Sequence, residues 1–139
     1  KLFVGKIIKM NKNRKAIQPT DSELEILTVL WENGPSTVRS VNDQLNSRRE
    51  VGYTTTLKIM QIMHEKGMLT REQDGRTHIY TPVLNEKEIQ GKLIDRLLET
   101  AFGGSASKMI MQALGNHNSS AEELAEIKKL IKRLEDREK

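Results

Sequence analysis

The stretch VGYTTTLKIMQIMHEKGMLTREQDGRTHIYTPV, residues 51–83, places a helix signal directly before a hairpin signal, and this combination decides the fold. At about 100° per residue, Tyr53, Leu57, Met60 and His64 fall within a narrow arc of one helix. We expect this arc to face the core, with His64 as a packed residue. The unusual feature is the start of the helix, where three consecutive threonines with poor helix propensity stand.

The outward face of this helix is polar, and Lys58 carries the only charge in its leading turns. Thr54, Lys58 and Gln61 lie on the arc opposite the core-facing one, and Thr55 lies beside it. Short hydroxyls and backbone N–H groups at the start of a helix can approach a phosphate or a base edge closely. Lys58 and Gln61, one turn further on, can extend to base edges.

A two-stranded ribbon is predicted directly after this helix. Gly67 supplies the left-handed residue at which the helix is expected to stop. Two extended runs then flank Asp74-Gly75, which is the strongest hairpin signal that a short sequence can give. The ribbon therefore carries Arg76 at its tip.

Two further helices are predicted upstream. The first begins at Thr20, which forms a capping box with Glu23, and it ends at Gly34. The second is short and begins at Ser36 or Thr37, so it needs neighbours to be stable. The residues expected to be buried are Leu24, Leu27, Leu30 and Trp31 in the first helix, and Val38, Val41 and Leu45 in the second.

Three short helices followed by a ribbon describe a winged helix-turn-helix domain, so the predicted fold class is mainly α with a small β-hairpin wing. In this arrangement the third helix enters the major groove of DNA, and the ribbon touches the backbone or the minor groove. Arg39 has an alternative role as the partner of a local acid, and Arg76 as a solvated surface charge. The candidate DNA-contacting residues are Arg39, Tyr53, Thr54, Thr55, Lys58, Gln61 and Arg76.

The remaining segment, residues 85–139, is helical by pattern, with breaks at FGGSAS and GNHNSS. Asn85 with Glu88, and Ser120 with Glu123, give capping signatures. Thin amphipathic helices such as these cannot form a core alone, and a second copy of the chain is the commonest partner. The alternative is that their apolar residues pack within one subunit. The candidate dimerisation residues are Leu93, Leu97, Ile110, Leu114, Leu124, Ile127, Ile131 and Leu134.

The sequence patterns divide the chain into a basic arm (1–16), a winged-helix domain (17–84) and a helical dimerisation domain (85–139), and the positive surplus belongs to the arm. The chain has 139 residues and a formal net charge of +4. Residues 1–16 carry six Lys or Arg and no acid, whereas the other two parts together have no positive surplus. We expect a mobile arm, and Met10 is a candidate native start, which would make residues 1–9 an addition.

Composition excludes several classes of function. The chain has no cysteine and only three scattered histidines, so we expect no disulfide, no metal site and no cofactor. No apolar run approaches the about 18 residues that a membrane span requires, so we expect a cytoplasmic protein without membrane insertion. No nucleophile stands with a base and no glycine loop cradles a phosphate, which argues against an enzyme.

The segments SELEILTVLWENGPSTVRSVNDQLN (22–46), GYTTTLKIMQIMHEKGMLTRE (52–72) and DGRTHIYTP (74–82) resemble the penicillinase repressor family, the BlaI/MecI/CopY group of bacterial winged-helix repressors. The resemblance covers roughly residues 17–135. It implies a homodimer that binds an inverted-repeat operator in double-stranded DNA, blocks transcription and is released by a signal. The matching motifs are Leu30-Trp31, Thr37-Val38-Arg39, Gly52-Tyr53-Thr54-Thr55, Glu65-Lys66-Gly67, and Asp74-Gly75-Arg76 with Tyr80.

The resemblance also suggests a mode of release. In the β-lactam-responsive members a membrane sensor metalloprotease cleaves a segment that matches the end of the fourth helix here. This chain has Ala101-Phe102 where the well-known members have asparagine and phenylalanine, so a simple helix end that packs one aromatic is the alternative. The copper-responsive members carry a cysteine pair, which this chain lacks, so that branch is excluded as a metal sensor.

A different class of function is a winged-helix module used for protein contacts in a regulatory complex. Such a module would be expected to show apolar or acidic residues on its reading helix. Ile62 is the only apolar residue on the outward arc, and Glu65 is the only acid. The sequence therefore favours DNA as the partner of this face.

Overall fold

The computed structural model describes residues 18–138, so the predicted basic arm lies outside the described residues. The chain divides into two compact units, a first unit, Lys1–Gln90, and a second unit, Gly91–Lys139. The mainly helical fold with one antiparallel hairpin confirms the predicted fold class. The elements are α1 (Asp21–Asn33), α2 (Val38–Asn46), α3 (Tyr53–Glu65), β1 (Leu69–Asp74), β2 (Thr77–Pro82), α4 (Glu86–Ala101), α5 (Ala106–Asn116) and α6 (Ala121–Arg137).

Helix α1 begins with the predicted capping box. The Glu23 backbone N–H donates to the Thr20 hydroxyl at 3.2 Å, and the Thr20 N–H donates to the Glu23 carboxylate at 2.9 Å. Of the predicted core face, Leu27 and Leu30 are buried and the half-buried Trp31 packs against the core, whereas Leu24 is only half-buried. The helix packs against α2, α3 and β2, which covers a wider arc than one stripe. The buried apolar residues of α1 are Ile26, Leu27, Val29 and Leu30.

Helix α2 is capped by the Thr37 hydroxyl, which accepts the Ser40 N–H at 3.1 Å. It buries Val38, Val41 and Leu45, as predicted. A nine-residue helix has little stability alone, so its packing against α1 and α3 holds it in place.

Helix α3 buries the predicted side over most of its length, and Leu57 packs against the core, but both ends of the predicted arc depart from the prediction. Thr56, Met60 and Met63 point into the core, whereas Tyr53 is 41% exposed and His64 is half-buried. Tyr53 shares its angular position with the buried side, but it stands in the first turn of the helix. There its ring faces the Arg39 guanidinium instead of the core.

The end of α3 follows the predicted glycine stop. Gly67 has φ 82°, its N–H donates to the His64 carbonyl at 3.1 Å, and the Met68 N–H donates to the Met63 carbonyl at 2.9 Å. These two bonds form the Schellman arrangement, which satisfies carbonyls at the helix end. The chain therefore turns directly into β1.

Strands β1 and β2 pair from Leu69 with Pro82 to Asp74 with Thr77, so the connecting turn is Gly75-Arg76. The turn thus begins one residue later than an Asp-Gly turn would, and Gly75 takes the positive φ of 64°. The buried Tyr80 exchanges backbone hydrogen bonds with Ser36, at 2.8 and 3.1 Å. This link joins the hairpin to the turn between α1 and α2.

The second unit consists of the rest of α4 with α5 and α6. Ser105 caps α5, which makes the helix longer than the predicted segment from Lys108 to Leu114. Ser120 and Glu123 form the predicted capping box of α6. No residue between Gly91 and Glu138 is buried, so this part of the described chain has no core of its own.

Candidate nucleic-acid interface

A buried amide network fixes the point at which α3 begins. The Asn42 side-chain amide donates to the Val51 carbonyl at 3.0 Å and to the Thr56 hydroxyl at 2.8 Å. Asn46 donates to the same Val51 carbonyl at 2.9 Å and accepts the Val51 N–H at 3.1 Å. The loop before α3 is thereby tied to α2, and the outer face of α3 is held in one orientation.

The first turn of α3 is open to a partner. Its N-cap is Gly52, which offers no side chain to the backbone N–H groups that follow. Thr54 and Thr55 are exposed beside these groups, and Lys58 and Gln61 are exposed one turn further on. Free N–H groups and the positive end of the helix dipole favour an anion at this position.

Arg39, in the first turn of α2, lies over Tyr53. Its guanidinium carbon is 5.0 Å from the centroid of the Tyr53 ring, within the range of a cation–π interaction. The alternative that Arg39 pairs with a local acid is not what the structure has, because the ion pairs within residues 18–138 do not include Arg39. The contact holds both side chains at the edge of α3 while the charge stays accessible.

Four of the predicted residues, Arg39, Tyr53, Gln61 and Arg76, line one cleft of about 440 Å³ between α2, α3 and the hairpin. Thr54, Thr55 and Lys58 are outside it, on the exposed face of α3. The structure thus brings the tip of the hairpin and the start of α2 to the same side of α3.

Arg71 and His78 also line this cleft, and sequence reasoning missed both as site residues. Arg71 pairs across the hairpin with Tyr80, and His78 pairs with Gln73. Side chains of a strand alternate between faces, so Arg71, His78 and Tyr80 share one face of the ribbon. This alternation, once the register is known, is the signal that would have found them.

The positive charge of Arg71 in the cleft reaches the C-terminal end of α3. Burial lowers the pKa of His64, and the neighbouring charge of Arg71 lowers it further. The charge of Glu65 opposes this shift only in part. The hairpin therefore brings the charge of Arg71 close to His64 at the end of α3.

The predicted dimerisation residues of the second unit lie at or near its surface. Leu93, Leu114 and Ile127 are half-buried, and the other five are exposed. Sequence reasoning missed three further exposed apolar residues, Ile94, Met111 and Leu130. The exposed fractions of the predicted residues are 46% for Leu97, 48% for Ile110, 40% for Leu124, 50% for Ile131 and 47% for Leu134.

Ala101 and Phe102 stand where α4 ends. Ala101 is exposed and is the last residue of the helix, and Phe102 is half-buried. Gly103 and Gly104 follow with positive φ, and the Gly104 N–H donates to the Leu98 carbonyl at 2.7 Å. The peptide bond between Ala101 and Phe102 therefore lies at the start of a tight turn.

Other kinds of site do not occur within residues 18–138. This part of the chain has no cluster of three or more His, Asp or Glu residues placed to hold a metal ion. None of its helices combines the length and the apolar character that crossing a bilayer demands.

Comparison with known proteins identifies the family. A profile of the penicillinase repressor family matches residues 19–133. The chain belongs to this family. The assignment confirms the family predicted from the sequence, whose relatives are named as a transcriptional regulator and a repressor and not as enzymes.

Two relatives within the family illustrate the extent of the similarity. The transcriptional regulator BlaI of Mycobacterium tuberculosis is 33% identical over 87 residues, which are 61% of this chain. That alignment spans 63% of the length of the mycobacterial protein. The penicillinase repressor of Bacillus licheniformis is 25% identical over 126 residues, covering 91% of this chain and 98% of the relative.

Two solved structures are similar to this chain over different extents. A MarR family protein from Bacillus stearothermophilus aligns over 96% of this chain and 82% of its own, with a TM-score of 0.51 and 16% identity. The DNA-binding domain of the repressor BlaI, solved in solution, aligns over 51% of this chain and 89% of its own, with 26% identity and a TM-score of 0.47. The similarity to the MarR family protein supports a winged-helix architecture and concerns the fold alone.

Proposed function

We propose that this member of the penicillinase repressor family is a sequence-specific DNA-binding repressor that occupies an inverted-repeat operator as a homodimer. One observation carries the proposal: the exposed, polar and uncapped start of α3 lies beside a basic cleft that the hairpin completes. A cytoplasmic protein with this surface would meet duplex DNA directly.

In the proposed complex, α3 lies in the major groove. The backbone N–H groups after Gly52 and the hydroxyls of Thr54 and Thr55 approach a phosphate. Lys58 and Gln61 extend to base edges and supply sequence preference. Arg76, at the hairpin tip, contacts the backbone and supplies affinity that does not depend on sequence.

The second unit supports a homodimer. Because no residue from Gly91 to Glu138 is buried, its apolar side chains lose contact with water only if another surface covers them. A second copy offers the same surface, which suits a two-fold interface. The two reading helices would then meet half-sites about 34 Å apart, or one duplex turn.

Release by proteolysis at Ala101-Phe102 forms part of the proposal. The exposed Ala101 and the turn at Gly103 and Gly104 support access for a sensor metalloprotease. Cleavage there separates α3 and the hairpin from α5 and α6, so each half of the repressor loses the avidity of the pair. Mass spectrometry of the protein from cells treated with a β-lactam should find a fragment that begins at Phe102, and only intact chain would rule out this mode of release.

Fluorescence anisotropy with the duplex upstream of the repressor's own gene tests the DNA proposal. A DNA reader binds this duplex more tightly than a scrambled duplex, and its affinity falls steeply as salt rises. A winged helix used for protein contacts would bind neither duplex. Equal affinity for both duplexes would mean that the protein binds DNA without sequence specificity, which would contradict the proposed operator.

A further inference from the structure

The cleft between α2, α3 and the hairpin concentrates positive charge without compensation. Arg39 enters it from α2, Arg71 from β1 and Arg76 from the turn, and none of the Asp or Glu residues between positions 18 and 138 lines it. None of the three arginines takes part in an ion pair within residues 18–138. Arg49, by contrast, is held by Glu25 at 2.8 Å on the same unit. Three unpaired guanidinium groups around one hollow repel each other, and an anion between them would remove that repulsion.

The shape of the cleft suits a compact anion. Its volume of about 440 Å³ lies within the range of small-molecule sites. Guanidinium groups present planar pairs of donors that match the oxygens of a phosphate, often two at a time. The Tyr53 ring, already in contact with Arg39, gives the hollow an aromatic wall. His78 lines it as well, and its buried Nδ1 has no hydrogen-bond partner among the residues that the structure describes.

We propose that this cleft is a phosphate-binding site in which Arg71 is a principal ligand. The phosphate group comes either from the backbone of bound DNA or from a free phosphorylated small molecule. Arg39 and Arg76 belong both to this cleft and to the proposed DNA interface, so a free phosphate compound held here competes with DNA. The competition rests on the proposed function, whereas phosphate binding itself does not.

A titration without DNA tests the cleft directly. Amide resonances of the full-length protein are followed by NMR as inorganic phosphate is added, against sodium chloride at matched ionic strength. The site predicts saturable shifts at Arg39, Arg71 and Arg76 with phosphate and not with chloride. Arg71→Gln should weaken phosphate binding about tenfold, the loss expected for one partly solvated charge-assisted hydrogen bond.

Two further variants separate a site from general positive charge. Arg71→Lys keeps the charge but loses the paired donors, so it should bind phosphate with an affinity between those of the wild type and Arg71→Gln. Arg48→Gln removes an exposed arginine outside the cleft and should change nothing. Equal weakening by Arg48→Gln and Arg71→Gln would overturn the site.

A second experiment distinguishes the two sources of phosphate. Phenyl phosphate is added to the complex of wild-type protein with labelled duplex, with chloride again as the ionic control. Displacement by phenyl phosphate beyond that caused by chloride identifies a free compound as a ligand. No displacement, together with weaker duplex binding by Arg71→Gln, identifies the DNA backbone as the source.

The outcome that overturns the site is the absence of saturable phosphate shifts together with unchanged duplex affinity in Arg71→Gln. Failure of the proposed function gives a different result, since wild-type protein would then bind no duplex at all. The titration with inorganic phosphate would still report on the cleft in that case.

Discussion

The two units of this chain place their apolar side chains in opposite ways. Among the described residues, every buried apolar side chain lies between Ile26 and Ile89, and none lies between Gly91 and Glu138. The first unit therefore buries its apolar side chains and exposes polar side chains on α3. The second unit displays Leu, Ile and Met along its helices. The first unit thus encloses a core, whereas the exposed apolar side chains of the second unit are covered only in the proposed dimer.

This difference predicts different sources of stability. The first unit gains from a dense core, in which each buried side chain contributes about 1.5–3 kcal/mol of transfer free energy. A lone amphipathic helix such as α6, with 17 residues, is marginal in water. The stability of the second unit should therefore depend on protein concentration, as it does for chains whose fold is completed by association.

The largest effect is expected for Ile131→Asp. Ile131 is 50% exposed on α6 and lies in the proposed dimer surface. A buried, unpaired carboxylate costs about 3 kcal/mol or more in each copy, or about 6 kcal/mol for the dimer, so the dimer should dissociate about 10,000-fold more readily. Sedimentation equilibrium measures this change, and operator affinity should fall with it.

The control is Ala125→Asp, which adds the same charge on α6 away from the apolar stripe, at another exposed position. It should leave the sedimentation profile unchanged. If Ile131→Asp remains as dimeric as Ala125→Asp, the two copies meet through some other surface.

A comparable loss of stability, confined to the first unit, is expected for Leu27→Ala. Leu27 is fully buried, so its truncation removes transfer free energy and leaves a cavity, which together cost about 2–5 kcal/mol. Urea denaturation followed by the fluorescence of Trp31, whose indole donates to the Leu84 carbonyl, measures the loss.

Ile62→Ala is the matched control for this loss, because Ile62 is 37% exposed on α3. Its effect should stay within about 0.5 kcal/mol, as for most surface changes. Equal destabilisation by both variants would mean that the core does not lie where the structure has it.

Sequence patterns predicted the first unit well where a local rule decides the structure. Thr20, Thr37 and Gly67 act through hydrogen bonds and backbone angles within a few residues of their own positions. Their roles could therefore be predicted from the neighbouring sequence. The fold class was predicted from these signals together with the hairpin signal at Asp74-Gly75. The same reasoning predicted the stop of α3 and the capping box of α6.

Burial was harder to predict, because it depends on neighbours that are distant in sequence. Tyr53 was expected in the core from its helical angle, but it is 41% exposed and Arg39 lies over its ring. Arg71 was missed because its place in the cleft depends on the register with Tyr80. The contacts of the second unit are harder still to predict. An apolar stripe indicates that another surface must cover it, but it does not indicate where that surface binds.

A smaller effect, on recognition and not on folding, is expected for Lys58→Ala. Lys58 is exposed on the outward face of α3, so its loss should leave stability unchanged. If the side chain contacts a base, specific binding should weaken by about 1–3 kcal/mol while binding to scrambled duplex changes little. Anisotropy with both duplexes measures the difference.

Lys87→Ala removes an exposed lysine from α4 and should alter neither affinity. If Lys58→Ala loses the same affinity for operator and for scrambled duplex, Lys58 contacts a phosphate and not a base. The reading surface would then depend on Gln61 and the threonines.

The smallest effect concerns a charge pair that only the first unit buries. Burial alone would raise the pKa of Glu23, but hydrogen bonds from the Thr20 backbone and Lys66, with the charge of Lys66, hold that pKa below its usual value. A lowered folded-state pKa stabilises the protein above the unfolded-state pKa, and the contribution disappears as pH falls through the folded-state pKa. Glu23→Gln should therefore cost about 1 kcal/mol near neutral pH and progressively less in acid.

The second unit offers the matched control, because its Glu126–Lys129 pair is 3.5 Å apart and fully solvated, with both side chains 71% exposed. Glu126→Gln should leave the stability and its dependence on pH unchanged, since exposed pairs contribute little. Urea midpoints measured from neutral to acid pH compare the two variants. If both show the same small loss at every pH, the carboxylate of Glu23 stabilises the first unit no more than a solvated one, and the contrast between the two units is limited to their apolar residues.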